Sequence, residues 1–297
     1  MIILIDLHMH SAYSDGENTV IELLEKAQIN KLEYISITDH DNCNAYIELN
    51  NIDIHKYYLG TIIPGIEIKC SINGRLIEVL GYKFNIEKMN KWVSEFYKDK
   101  SKEKLQQKYF DLLYEKSIKM GLTLNSKENV AFNSKKDWAS LAIYNEIKKH
   151  PENQTRVPDD FWAEFNTFSK KYCGNKEHIL YINKEEDYPS IQEAIDAIKN
   201  SEGLVFLPHL FIYKWVDNPK KFINDILKTY SIDGIECYHS DFSEENIAYL
   251  KDLCRERNYL MSGGSDYHGK NKPGIEMAIG KGNLKITTDI VKDWINR

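Results

Sequence analysis

Cysteine is scarce in this chain of 297 residues, and none of its five cysteines belongs to a CxxC pair. Their number is odd, which indicates small core residues or free thiols rather than a disulfide framework or a thiolate zinc cluster. Long apolar runs are also missing, because the run at 2–5 ends at Asp6 and no later segment is long enough to cross a bilayer. These absences argue against a disulfide-rich secreted protein and against a membrane protein, and they predict a cytoplasmic location.

Arginine is rare as well, and the formal net charge of −6 argues against a general nucleic-acid binder. Lysine is unevenly distributed, since residues 88–137 carry 12 lysines against 7 acidic residues. This stretch is either a solvated helical face or a basic flap that faces an anionic ligand. We therefore expect neither a stable nucleic-acid complex nor a membrane partner.

Short apolar runs alternate with amphipathic patterns along most of the chain. The patterns at 19–31, 190–203 and 243–258 have helical spacing, and Ser190 and Ser243 are placed to cap the last two helices. Such alternation predicts an α/β fold with a mainly parallel sheet, either open or closed into a barrel. The apolar runs that predict strands are 2–5, 34–37, 61–63, 76–82, 204–207, 234–238 and 259–261.

The middle of the chain breaks this alternation. Residues 88–175 show helical patterns only, with Met89, Trp92 and Phe96 on one face, and no proline occurs between Pro64 and Pro151. We therefore predict a barrel formed by 1–87 and 176–297, with 88–175 as a helical insertion that caps the active site.

Side chains of metal-ligand type follow the apolar runs. Six of the nine histidines lie there, and a single such residue is usually only a hydrogen-bonded loop residue or a cap. In a parallel barrel, however, the carboxyl ends of the strands meet at one face, where so many charges would repel one another unless cations bound them. The pattern therefore predicts a metal site. The residues concerned are Asp6, His8, His10, Asp39, His40, Asp41, Glu67, His209, Glu236, His239, Asp266 and His268.

The spacing of His8 and His10 supports this interpretation, because residues i and i+2 of an extended segment point to the same side. Mixed imidazole and carboxylate ligands suit Mn²⁺, Fe²⁺ or Zn²⁺ better than a thiolate-seeking metal. With so many ligands, we expect two or three divalent cations, two of which Glu67 bridges.

Five motifs resemble those of the PHP (polymerase and histidinol phosphatase) superfamily: "DLHMHSAYSDG" (6–16), "ITDHD" (37–41), "PGIE" (64–67), "PH" (208–209) and "GGSDYHG" (263–269). The resemblance extends over nearly the whole chain. The segments "DGIECYHSDFSEEN" and "SDYHGKNKPG" are most similar to the branch of nucleoside 3′,5′-bisphosphate phosphatases and 5′-to-3′ exonucleases that act on short RNA.

The resemblance implies a distorted seven-stranded β/α barrel with a helical insertion and a trinuclear metal site. It implies Mn²⁺ as the preferred cation, with Fe²⁺, Zn²⁺ or Mg²⁺ as alternatives. Asp15 enters the ligand set through the resemblance alone. One cation would take His8, His10, Glu67 and Asp266, a second would share Glu67 and take His209, and a third would take Asp15, His40 and His268.

The sequence departs from the family in two places. Glu78 stands where the family usually has a histidine ligand of the second cation; a carboxylate still binds a divalent cation but favours a harder one. In the insertion, "SKKDWA" (134–139) replaces a Gly-Arg-Pro-His-like motif that holds a distal phosphate. Lys135 there offers a point charge without the bidentate fork of arginine, and Asp137 would repel phosphate.

We accordingly expect metal-assisted hydrolysis of a small phosphorylated substrate or a short oligonucleotide. His239 would protonate the leaving oxygen or contact the phosphate, the alternative being a simple hydrogen bond at a strand end. Lys135, Lys136 and Arg156 would contact substrate from the insertion. Two other functions stay open: a histidinol-phosphate-like phosphatase of small metabolites, and a non-catalytic module that binds metal or nucleotide.

Overall fold

The computed structural model describes residues 4–295, so Ile2 and Ile3 of the first predicted strand lie outside the described residues. The chain divides into two compact units, one formed by the residues up to Ser94 together with Tyr188 onward, the other by Glu95–Asp187. No helix within 4–295 is both long and apolar enough to cross a membrane.

A first sheet of three parallel strands holds the N-terminal motifs. Its order is β1 (Leu4–Met9), β2 (Leu32–Ile37) and β3 (Thr61–Ile62). β1 is buried on both faces, with Ile5, Leu7 and Met9 on one face and the polar side chains of Asp6 and His8 on the other.

The second sheet has five strands and is mixed. It contains β4 (Gly65–Ile72), β5 (Arg75–Tyr82), β6 (Leu204–Leu207), β7 (Gly234–Tyr238) and β8 (Leu260–Gly263), in that order. β5 pairs antiparallel with both β4 and β6, whereas β6, β7 and β8 are parallel.

The strand β4 was not predicted, although the sequence carried a signal for it. Asn73 and Gly74 join β4 to β5 with φ values of 49° and 76°, the left-handed pair that a two-residue hairpin turn requires. The side chains of Ile66, Ile68 and Cys70 alternate ahead of that turn and are all buried.

The two sheets touch at both margins. Parallel bridges join Met9 to Tyr267 and His40 to Glu67, and the Tyr82 hydroxyl donates to the Leu7 carbonyl at 2.8 Å. These pairings establish a mixed α/β fold. Closure into the expected barrel of seven strands is not shown by them.

The helical caps follow the predicted signals. Ser190 accepts the Glu193 N–H in a capping box, and Ser243 accepts the Asn246 N–H.

Between β5 and β6 the described residues form helices and loops only. The α-helices are α1 (Val20–Ile29), α2 (Asn44–Leu49), α3 (Ile86–Phe96), α4 (Lys102–Lys119), α5 (Ala139–Lys148), α6 (Asp159–Ala163), α7 (Phe165–Thr167), α8 (Ile191–Asn200), α9 (Pro219–Thr229) and α10 (Glu244–Arg257).

Each unit has its own core. In the first unit Trp294, fully buried, packs its ring 5.1 Å from that of Phe206 and donates its indole N–H to the Met261 carbonyl. In the second unit, α4 and α5 bury a continuous apolar cluster that includes Leu113 and Ile143. One part of the core of the first unit packs together Ile5, Leu80 and Phe206, which lie on β1, β5 and β6.

Candidate metal centre

Four imidazoles surround the carboxylate of Glu67 on β4. Its Oε2 atom lies 3.5 Å from His8 Nε2, 3.3 Å from His10 Nε2 and 3.2 Å from His40 Nδ1. Its Oε1 atom lies 2.6 Å from His209 Nε2. All of these residues except His40 are buried. Their side chains come from four different strands or the loops that follow them, and they meet at one buried position.

A second group surrounds Asp15. Its Oδ1 atom lies 3.2 Å from His268 Nε2 and 3.6 Å from His10 Nδ1, and its Oδ2 atom lies 3.6 Å from His40 Nε2. The rings of His10 and His268 stack with centroids 4.1 Å apart. The structure thus brings Asp15, which only the resemblance had suggested, together with the histidines proposed beside it.

Asp266 completes the first group from the loop after β8. Its Oδ1 atom faces the imidazoles of three predicted ligands at 3.3–3.7 Å: His8, His10 and His268. Gly264 makes this approach possible, because a Cβ atom there would lie 2.3 Å from the His8 backbone nitrogen. The paired glycines of "GGSD" therefore include one position that the backbone geometry reserves for glycine.

Glu78 lies with a third group. One ligand atom from each of Glu67, Glu78 and His209 falls within 4.8 Å of the other two. The Tyr213 hydroxyl donates to Glu78 Oε2 at 2.9 Å and accepts the Glu78 backbone N–H at 2.9 Å. Lys69 Nζ lies 3.8 Å from Glu78 Oε1, so the carboxylate is held from two sides.

The donor set fits divalent cations. The imidazole nitrogens that face Glu67 Oε2 are buried and have no hydrogen-bond partner within the described part of the chain, which is costly unless something else binds them. Imidazole nitrogens and carboxylate oxygens are ligands that Mn²⁺, Fe²⁺ and Zn²⁺ accept. Three such groups, each with its ligand atoms within 4.8 Å of one another, provide three candidate cation positions.

The pKa values of the buried groups also favour cation binding. Burial alone would raise the pKa of Glu67, but the surrounding imidazoles, His40 first among them, hold that pKa well below its usual range. Burial alone would lower the pKa of His10, but Asp266 and Glu67 raise it to about 9. Without cations, the raised pKa keeps His10 protonated beside these carboxylates, whereas burial lowers the pKa of His40 to about 3 and keeps that ring neutral. A divalent cation would therefore displace the His10 proton.

A carboxylate and a backbone carbonyl fix the imidazole tautomers of His8 and His268. Glu236 Oε1 accepts from His8 Nδ1 at 2.8 Å, and the Asp266 carbonyl accepts from His268 Nδ1 at 2.9 Å. In both rings the Nε2 atom is then left as the acceptor that faces the centre. Glu236 also accepts the His209 backbone N–H at 2.8 Å, so one buried carboxylate orients two candidate ligands.

Glu236 and Asp6 have supporting contacts that the sequence did not disclose. Asp6 accepts four hydrogen bonds, from the His8, Ser265 and Ala278 backbone N–H groups and from the Ser265 hydroxyl, at 2.6–3.3 Å. It thereby ties β1 to the loop that carries Asp266. The one signal in the sequence was an acidic residue inside an apolar run, such as Glu236 in "GIECY". A carboxylate in such a strand is shielded from water and therefore needs hydrogen-bond donors from the protein.

His239 is fully buried beside Asp266. Its Nε2 atom lies 3.1 Å from Asp266 Oδ2, and its Nδ1 atom accepts the Asp241 backbone N–H at 3.1 Å. Since Nδ1 accepts, a neutral ring carries its proton on Nε2 and donates it to Asp266.

The three predicted substrate contacts lie in the second unit and are exposed. Arg156 donates to the Gly121 carbonyl at 2.5 Å, and Lys135 Nζ lies 3.9 Å from Glu103. Lys136 shares the exposed turn of Lys135. Their contact with substrate stays a prediction.

Asp137 has a local role in the same turn. Its Oδ2 atom accepts the Asn133 backbone N–H at 2.7 Å. The carboxylate that the sequence suggested would repel phosphate is thus engaged in closing the turn.

Comparison with known proteins gives a consistent result. The sequence matches the family described as "PHP domain" over residues 6–243. A Haemophilus influenzae protein named 5′-3′ exoribonuclease is 24% identical over 297 residues, which cover 97% of each chain. An Eggerthella lenta protein named phosphoribosyl 1,2-cyclic phosphate 1,2-diphosphodiesterase is 22% identical over 270 residues, 89% of this chain and 94% of that one.

Solved structures of the same fold exist. A Bifidobacterium adolescentis protein described as a metal-dependent phosphoesterase superposes with a TM-score of 0.60 at 19% identity, covering 99% of this chain and 98% of its own. An amidohydrolase from Chromobacterium violaceum, solved with bound sulfate, gives a TM-score of 0.61 at 16% identity over 92% and 89% of the two chains. At these identities the likeness establishes the fold.

Proposed function

This chain belongs to the PHP domain family of metal-dependent phosphoesterases, and from that premise we propose that it hydrolyses phosphate esters of nucleotides. The substrates we propose are nucleoside 3′,5′-bisphosphates or short RNA with a 5′-phosphate. The exoribonuclease similar to this chain over 97% of its length supports a nucleotide substrate.

One observation carries the proposal: buried nitrogens of His8, His10 and His40 that have no hydrogen-bond partner among the described residues converge on a single oxygen of Glu67, Oε2. A structural role would leave these nitrogens unsatisfied at a cost of about 1–3 kcal/mol each. Cations would satisfy them together. A centre of several cations also explains how a chain of net charge −6 accepts an anionic substrate, because the cations reverse the local field.

We assign the cation ligands as the distances group them, and Mn²⁺ is our preferred cation. When bound, the cations supply Lewis-acid stabilisation of phosphoryl oxygens and lower the pKa of an attacking water. Glu78 in the second position gives that position more negative charge than a histidine would. We propose His8, His10, Glu67 and Asp266 for the first position, Glu67, Glu78 and His209 for the second, and Asp15, His40 and His268 for the third.

The remaining residues of the centre orient and exchange protons. Glu236 holds His8 so that Nε2 faces the cations. His239 carries its proton on Nε2, 3.1 Å from Asp266, and we propose that it donates this proton to the leaving oxygen of the substrate. Closure of the two sheets into a distorted barrel belongs to the same proposal, supported by the bridges at both of their margins.

A substrate panel tests the function. Protein stripped with a chelator and reloaded with Mn²⁺ is assayed on adenosine 3′,5′-bisphosphate, a 5′-phosphorylated RNA tetramer, histidinol phosphate and p-nitrophenyl phosphate. We expect turnover that depends on Mn²⁺, with the bisphosphate or the RNA preferred over the aryl ester by at least tenfold. Glu67→Gln serves as the inactive control.

Each other outcome is informative. Preference for histidinol phosphate would replace the nucleotide substrate with a small metabolite. Retention of Mn²⁺ without release of phosphate or nucleotide from any substrate would refute the enzyme and favour a binding module.

A further inference from the structure

The two oxygens of Asp266 face different surroundings. Oδ1 faces the imidazoles of the proposed cation ligands, as described above. Oδ2 faces His239 Nε2 at 3.1 Å and forms an ion pair with the ammonium group of Lys272. One buried carboxylate thus separates the cation side of the centre from a side that offers N–H donors.

Lys272 is partly exposed to solvent beside the centre. It follows the short turn Gly269–Asn271, and its side chain is 33% exposed, whereas that of Asp266 is 7% exposed. The ammonium group therefore joins a buried carboxylate to solvent. A lysine ammonium on its flexible stem can exchange one partner for another at little cost in geometry.

The charge around Asp266 differs between the metal-free and the metal-bound centre, and this changes the partner available to Lys272. In the absence of cations, the ammonium group offsets the charge of Asp266. When Asp266 binds divalent cations, its charge is already neutralised, and the lysine becomes a surplus positive charge on the side of Asp266 Oδ2, which His239 also faces. A phosphoryl oxygen beside Asp266 Oδ2 would then replace the carboxylate as the partner of this ammonium group.

We propose that Lys272 binds a phosphoryl oxygen of the substrate and of the product phosphate, so that Lys272 and His239 form a phosphate subsite beside Asp266 Oδ2. This inference rests on the proposed function. It differs from a role in which Lys272 merely tunes the charge of Asp266, and the two roles give different measurements.

Phosphate binding is the direct test, because it requires no turnover. Inorganic phosphate is titrated by calorimetry into the Mn²⁺-loaded wild type, Lys272→Gln and Lys272→Arg, and Mn²⁺ is titrated into each metal-free protein. Lys270→Gln is the matched control, since Lys270 is 89% exposed and pairs with Glu17 at 2.9 Å on the outer side of the same turn.

We expect Lys272→Gln to weaken phosphate binding about 10–100-fold, the range for loss of a charge-assisted hydrogen bond. Mn²⁺ stoichiometry should stay unchanged, Lys272→Arg should keep most of the affinity, and Lys270→Gln should match the wild type. If the nucleotide panel shows activity, the KM of Lys272→Gln should rise more than its kcat falls.

Two results would overturn the inference. In the first, Lys272→Gln binds phosphate as the wild type does while its Mn²⁺ affinity changes, which would assign Lys272 to Asp266 alone. In the second, the Mn²⁺-loaded wild type binds no phosphate at millimolar concentration. An inactive substrate panel would instead remove the proposed function and leave the phosphate titration interpretable.

Discussion

Replacing Glu236 by glutamine should test whether a buried carboxylate builds this centre. Glu236 is fully buried on β7 and accepts from His8 Nδ1 and from the His209 backbone N–H, each at 2.8 Å. Glutamine has nearly the same shape but only one acceptor oxygen. Its amide group would therefore leave one of the two donors unpaired and would allow His8 or His209 to rotate.

The expected magnitude follows from these contacts. A hydrogen bond to a charged group is worth about 1.5–3 kcal/mol, and loss of a partner that orients a metal ligand typically costs about 10–100-fold in metal affinity. We expect Mn²⁺ affinity of Glu236→Gln to fall by that factor. The free energy of unfolding of the metal-free protein should fall by about 1–3 kcal/mol, because a buried donor stays unpaired.

Calorimetric titration of Mn²⁺ into metal-free protein, with urea unfolding of the same samples, measures both quantities. Glu245→Gln is the control, since it makes the same change of charge at an exposed residue near the start of α10. If Glu236→Gln bound Mn²⁺ as tightly as the wild type, orientation of His8 by Glu236 would have no part in cation binding.

Four further predictions concern the centre and the residues that support it. Glu78→His should shift the preference of the second cation position from Mn²⁺ towards Zn²⁺ in competition dialysis. Tyr213→Phe should lower the affinity of that position for its cation, because Glu78 loses a hydrogen-bond donor. Mn²⁺ binding at pH 7.5 should release protons, because the pKa of His10 is raised to about 9 in the metal-free protein and the cation displaces that proton. Calorimetry in buffers of different ionisation enthalpy measures this release. The affinity for Mn²⁺ should accordingly rise with pH up to about 9. Asp6→Asn should lower the free energy of unfolding by about 2–3 kcal/mol in urea, because an amide cannot accept from all four donors around it.

Specific results would contradict each of these. Unchanged metal preference in Glu78→His would place Glu78 outside the coordination shell. Calorimetric enthalpies independent of buffer would mean that His10 is already neutral before the cation binds. Asp6→Asn with wild-type unfolding would show that Asp6 is dispensable to the link between β1 and the Asp266 loop. The control is Asp252→Asn on α10, where the side chain is 66% exposed.

The chemistry-bearing strand ends were predictable from sequence because each motif is local. "DLHMH" gives two imidazoles on one side of an extended chain, and "GGSD" places a carboxylate after a tight approach of backbone to backbone. Family membership, and with it the metal-dependent phosphoesterase chemistry, is confirmed by the match over 6–243. The helices capped by Ser190 and Ser243 are confirmed for the same reason, since a cap is decided within four residues.

What the sequence did not predict depends on pairing between distant segments. The prediction of a mainly parallel sheet missed β4 and its antiparallel hairpin with β5, where an Asn-Gly turn was the overlooked signal. The roles of Glu236 and Tyr213 could not be derived, because Glu236 orients His8 and Tyr213 binds Glu78, each more than 100 residues away in sequence. Likewise, nothing in "GKNKPG" tells Lys272 from Lys270; only the folded turn directs one ammonium group towards Asp266 and the other towards Glu17.

The bond from the Asp266 backbone N–H to the His8 carbonyl, 2.8 Å long, joins the two ends of the chain at the centre. During synthesis, the ribosome must therefore translate through Asp266 before the proposed first cation position has all of its ligands. Prematurely terminated products that end before residue 266 would contain His8, His10 and Glu67 yet lack the Asp266 ligand. We therefore expect chains that end before Asp266 to lack phosphoesterase activity.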